Sequence, residues 1–306
     1  MNTREWALVT FTILAQMSVG AFLVLGVVHA LARRAKGADE ANRLSDRALL
    51  AIGPTLILGM AASLLHLGSP MNAYLAASNL GTSWLSREIA SGVAFALLGA
   101  IFAFTQWRKI GSFSVRQLLA YLAAAAGLVL VYSMSQVYML AAQPAWNSAA
   151  TPVSFFVTTF LLGSLAMGSA FVVNYWIVKG KDPGCAECQC ELLRSSLKWI
   201  AVLSLVMLGA EFVIIPSYLA VLATGPSAAL STIGLLTGEF GAAFGLRLAL
   251  VFLGAGVFGL FLYQSTADPR REGAMAVLTM GAFALVLVSE VIGRFLFYAT
   301  HVRIGL

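Results

Sequence analysis

Eight apolar runs, each long enough to cross a bilayer, fill almost the whole chain and decide what it can fold into. They lie at approximately 5–32, 47–68, 86–107, 116–140, 152–178, 192–222, 244–263 and 273–299. A hydrocarbon core is spanned by about 20 apolar residues in a helix. Backbone groups in lipid must be satisfied inside their own segment, so each run reads as a helix. Spanning β-strands would show alternating segments of about 10 residues, and the sequence has no such pattern. With 60% hydrophobic and 10% charged residues, a soluble globule of 306 residues cannot hide its apolar surface. The expected fold is an all-α integral membrane protein, a bundle of eight transmembrane helices forming a single domain over residues 1–306. The first run is too long for a signal-peptide core and has its Arg33–Arg34 pair behind it, so it reads as a retained helix.

Charge orients the bundle, because Lys and Arg collect in cytoplasmic connections. Fourteen of the 19 basic residues fall in alternate connections: Arg33 to Arg47, Arg108 to Arg116, Lys179 to Lys198, and Arg270 with Arg271. Both termini are therefore expected on the outer, periplasmic side of a bacterial cytoplasmic (inner) membrane. The net charge of +6 is explained by topology, which removes the reason to invoke a nucleic-acid partner. The outer connections, 69–85, 141–151 and 223–243, are long and nearly chargeless. Their Tyr74, Trp84 and Trp146 suit an interfacial aromatic belt or a docking surface for an outer partner.

The two halves of the chain show no convincing repeat, and no run is broken at its middle by paired Gly or Pro, which argues against an inverted-repeat transporter. Small residues in "LLGSLAMGSA" (161–170) and "GAGVFGLF" (254–261) suit close helix packing. The "GCAECQC" stretch places Cys185, Cys188 and Cys190 on an inner loop. Three thiols without a neighbouring His fall short of a four-ligand zinc site, so no metal is expected and reduced surface thiols are. A membrane haem needs paired axial ligands at matching depth. His29 lies at an inner helix end and His66 and His301 at outer ends, so no haem is expected in this chain.

The stretch "LLHLGSPMNAYLAASNLGTSWLSREIASG" (64–92) closes the second run and opens the third, and it carries His66 and Glu88 on the same side of the membrane. Each alone suits the helix macrodipole, His at a C-terminus and Glu at an N-terminus, with Gly68, Ser69 and Pro70 as stop signals. Yet ionisable side chains in so uncharged a membrane domain are functional candidates by default. Both also exchange protons readily. Oxidising a quinol takes two protons and two electrons from a lipid-borne molecule, which suits an acid–base pair at a lipid-accessible ledge.

The succession "EWALVTFTILAQMSVGAFLVL", "SLLHLGSPMNA", "LSREIASG", "TPVSFFVTTF", "GAEF" and "SEVIGRFLFYATHVRIG" resembles the DmsC family, membrane-anchor subunits of dimethyl sulfoxide reductase-type molybdoenzymes. The resemblance runs over essentially the whole sequence. It implies a haem-free anchor that oxidises menaquinol near the outer face and passes electrons to a four-cluster iron–sulfur subunit, itself bound to a molybdopterin catalytic subunit. The terminal reductase site is then on another chain. His66 and Glu88 match the family's quinol-site positions, with Arg87, Ser69, Arg294 and His301 expected to border the quinol. The cysteine stretch is no part of this pattern.

In the eighth run, Glu290, Arg294, Tyr298 and His301 fall on one helical face. They read either as a buried Glu290–Arg294 pair or as a wall and proton exit for the same site. Glu211 in the sixth run needs a partner such as Arg294. Two rival functions remain beside quinol oxidation: a proton-coupled transporter, and a purely structural anchor.

Overall fold

In the computed structural model, residues 3–36, 52–59, 61–62, 73–76, 78–181 and 186–305 are described, and all regular structure among them is helical. Seven helices are long and apolar enough to span a membrane. The protein is a multi-pass membrane protein. The expected second helix, 47–68, lies mostly outside the described residues, of which 52–59 and 61–62 are helical; His66 and Ser69 also lie outside them.

The elements are α1 (Thr3–Lys36), the short α2 (Ala73–Ala76), α3 (Trp84–Arg108), α4 (Phe113–Val137), α5 (Ala150–Lys181), α6 (Ala186–Ala223) and the short α7 (Ser227–Gly234). They are followed by α8 (Gly241–Ser265) and α9 (Glu272–Ala299). Helices α1 and α5 form the centre: 72% and 67% of their most apolar stretches are buried, against 17% for α3. The glycines decide where those two cross. A Cβ on Gly20 would run into the carbonyl of Thr159, and one on Gly163 into the backbone of Gly20, so the helix axes approach as closely as two glycines allow. Outside this centre, large apolar side chains such as Trp107, Val213 and Val277 are exposed, as a lipid-facing surface requires.

Local chemistry sets the ends. The side chains of Ser83 and Ser112 cap α3 and α4 by accepting from backbone N–H groups three residues on. Between them Lys109 takes a left-handed conformation (φ 54°), and Gly111 takes another (φ 77°), turning the backbone within four residues. The α3–α4 hairpin follows directly.

Three expectations need correction. The connection 223–243 is helical for most of its length, with α7 and a π-turn at Leu235–Glu239. Helix α8 is interrupted at its middle after all, by a π-turn at Phe252–Phe258, where Gly254 lies against Leu285 and Val286 of α9. The supposed cysteine loop begins α6 by Ala186, and Cys190 is buried with its thiol donating to Glu272 at 3.5 Å, not presented at the surface. That contact ties the start of α6 to the start of α9.

Candidate functional site

Polar groups buried in an apolar bundle need partners, and they gather here in two clusters on either side of Arg294. The first lies among α1, α3, α4 and α9. Glu88 is the fifth residue of α3, past the first turn, so the N-terminal dipole that would suit an acidic residue has largely faded there. Its side chain is buried, 9% exposed, and interacts electrostatically with Tyr138 and Tyr298. Those two phenols hydrogen-bond each other at 2.6 Å across the bundle. Around them packs an aromatic shell in which Tyr138 meets Trp146, Phe155 and Phe297.

Two further expected residues border the same shell. Arg294 is 5% exposed, donates to Gln16 at 3.0 Å and sets its guanidinium over Phe155, 3.9 Å from the ring centre. His301 lies just beyond α9 and stacks on Trp146 at 4.4 Å, its Nδ1 2.6 Å from the carbonyl oxygen of Tyr298. Arg294 and His301 thus border the aromatic shell of the Tyr138–Tyr298 pair, and Glu88 lies within electrostatic range of both phenols. Arg87 does not join them. Its guanidinium donates to the carbonyls of Leu80 and Gly81 and covers Trp84, bracing the loop that leads into α3.

The second cluster lies among α5, α6, α8 and α9. Arg247 donates to Glu211 at 2.5 Å, and Thr158 donates to Glu290 at 2.7 Å. The expected Glu290–Arg294 pair is not what forms: Arg294 turns toward Gln16, and Glu211 takes Arg247 in place of Arg294. Geometry explains the exchange. A Cβ at Gly293 would overlap the Arg247 guanidinium, so this glycine opens the notch through which Arg247 reaches across from α8. A cavity of about 110 Å³ borders Glu211, Arg247, Glu290 and Arg294 and extends to Ala145, Ala150 and Thr300 at the arginine-poor end.

Trp146 is inside, not in an interfacial belt: it is 8% exposed and its indole N–H donates to the carbonyl of Phe297 at 2.9 Å. Tyr138, Gln16 and Thr158 escaped the sequence reading, and Arg247 stood out there only as a structural charge inside a helix end. Gln16 and Arg247, each a lone polar residue within an apolar run, carried the only visible signal.

Comparison with known proteins adds three findings. The family model of the DMSO reductase anchor subunit (DmsC) matches residues 1–300. Two anaerobic dimethyl sulfoxide reductase subunits of Escherichia coli K12 are similar along nearly their whole length. One is 30% identical over 308 residues, covering 99% of this protein and 97% of that subunit. The other, YnfH, is 28% identical over 305 residues, with coverage of 99% and 97%. Among solved structures, bd oxidase from Geobacillus thermodenitrificans superposes with a TM-score of 0.69 at 14% identity, covering 97% of this protein and 85% of the matched one. At that identity the likeness is one of fold alone.

Proposed function

Since the chain belongs to the DmsC family of DMSO reductase anchor subunits, we propose that it oxidises menaquinol at the Glu88 cluster and delivers the electrons to an iron–sulfur subunit. The observation that carries this reading is the grouping of buried Glu88 and Arg294 with His301 about the hydrogen-bonded Tyr138–Tyr298 pair. Proton-exchanging groups are costly in a bilayer interior and are kept there by function.

In this reading the chain has eight spanning helices, and both termini face the periplasm across the cytoplasmic membrane. Menaquinol reaches the ledge from the lipid. Its hydroxyls meet His66 and Glu88, which take one proton each, while two electrons leave singly for the nearest of four clusters in the docked partner. A molybdopterin subunit beyond it reduces the terminal acceptor. The described residues offer the quinol a carboxyl acceptor, a phenol pair and a fixed cation. Ser69 is, in this reading, a further quinol contact, and Arg87 holds the loop that leads into α3. The whole protein acts as one anchor domain.

The test is single-turnover reduction of the partner's iron–sulfur clusters in the purified complex, driven by a water-soluble naphthoquinol. Glu88→Gln and His66→Ala are expected to slow quinol-driven reduction roughly 100-fold and to leave reduction by dithionite intact. Equal quinol-driven rates in both variants and wild type would overturn the site. Loss of the partners from the membrane in both variants would favour the purely structural anchor.

A further inference from the structure

The cavity of about 110 Å³ beside α6, α8 and α9 abuts the Glu88 cluster at Arg294 and Phe297 and has a feature of its own. Three of the polar atoms of its lining residues are buried without a hydrogen-bond partner: Oε1 of Glu290, Oε2 of Glu211 and Nε of Arg247. Both carboxylic side chains are 3% exposed. Leaving such groups unmet costs about 1–3 kcal/mol each, more for a charge, and the cavity beside them, largely apolar in its lining but edged by these charged side chains, has room for several waters.

Its place in the bundle suggests what the water does. Glu290 lies ten residues before Thr300 on α9, about 15 Å along the helix. The cavity therefore joins buried carboxyls to the arginine-poor end of the bundle. Arg294 belongs to both neighbourhoods. It borders the cavity, and it interacts electrostatically with Tyr138 and Tyr298 on one side and with Glu290 and Arg247 on the other. The other ionisable groups facing the cavity are Glu211, Arg247 and Tyr218, whose hydroxyl donates to the carbonyl of Ala145 at 3.0 Å. Helix α5 contributes only the hydroxyls of Thr151, Ser154 and Thr158.

We propose that this cavity is a water-filled proton-release chamber in which Glu290 is the relay carboxyl, held beside the fixed Glu211–Arg247 pair. The proposal rests on the quinol-oxidation reading. Each quinol gives up two electrons, which pass to the iron–sulfur subunit, and two protons. A proton leaving the Glu88 cluster forms an O–H bond on Glu290 and later breaks away to cavity water, which passes it out past Ala150. Glu290 returns to carboxylate for the second proton. Arg294, bordering both clusters, makes proton occupancy on one side felt on the other.

Two measurements on the purified complex test this. Radiolytic hydroxyl footprinting reads the water without reference to quinol: Leu236 and Leu296, both cavity-lining, are expected to be oxidised despite their burial. Absence of labelling overturns the proposal. Naphthoquinol-driven cluster reduction then reads the relay. Glu290→Gln and, with no charge removed, the cavity-filling Ser154→Leu are each expected to slow it by roughly 10- to 100-fold, with a larger solvent isotope effect and unchanged affinity for a fluorescent quinol analogue. Unchanged rates in Ser154→Leu and in a folded Glu290→Gln overturn the proposal. So does weakened analogue binding in both, which would make the cavity the headgroup's own site. Failure of the quinol reading itself shows differently, as an unaltered Glu88→Gln beside persistent labelling.

Discussion

The two polar clusters flanking Arg294 solve the same problem in opposite ways. At the Glu88 cluster, aromatic rings close round a phenol pair whose hydroxyls satisfy each other, and the buried Glu88 carboxyl acts on both phenols electrostatically. At the Glu211–Glu290 cluster, each carboxyl has one oxygen bonded and one without a partner, and both side chains border a cavity. The first is packed like a protein core; the second is left open. Packing fixes geometry for a bound molecule, whereas an opening admits water, and the difference teaches that buried carboxyls in one bundle need not share a task.

Breaking the ion pair of the open cluster should produce the largest effect. Arg247→Gln strands Glu211 and is expected to lower stability by about 3–5 kcal/mol, read as thermal unfolding of the complex in detergent. The Glu211→Gln, Arg247→Gln double variant is expected to recover most of that loss. At the packed cluster the expected effect of Glu88→Gln falls on catalysis: a roughly 100-fold slower quinol-driven reduction with little change in unfolding temperature. Equal destabilisation by Glu88→Gln and Arg247→Gln would erase the distinction between the clusters. A smaller pair sharpens it. Tyr298→Phe and Thr158→Val each remove one hydrogen bond, each expected to cost about 1 kcal/mol. The former is expected to weaken quinol-analogue binding measurably, and the latter to leave it unchanged. Trp146→Phe, which frees the Phe297 carbonyl, is expected to cost a similar 1 kcal/mol or so and to loosen the His301 stack, seen as faster hydrogen exchange in residues 300–305.

Much of this was legible in the amino-acid order. Apolar length alone located the seven long helices to within a few residues, because lipid leaves no other conformation open to such runs. Glu88, Arg294 and His301 were visible as ionisable residues that the membrane tolerates poorly. Their partners were not. Arg294 pairs with Gln16, 278 positions away, and Tyr138 with Tyr298, 160 away, and helix order gives no measure of which faces meet. The i, i+4 spacing of Glu290 and Arg294 misled for the same reason: neighbours on one helix compete with neighbours across the bundle, and Thr158 and Gln16 were better placed. The π-turn in α8 was also hidden, since Gly254 and Gly256 look like ordinary packing residues until Val286 and Leu208 are set against them.

The crossing of α1 and α5 at Gly20 and Gly163 has a consequence for how the molecule can move. Two helices whose backbones touch cannot slide or rotate past each other without first separating, so this contact is a fixed pivot. The α3–α4 hairpin and the α6–α9 group lie to either side of it. Any breathing of the bundle that lets a lipid-borne molecule in, or a proton out, must therefore be a tilt of the flanking helices about one immobile point, with its greatest amplitude at the ends of the bundle.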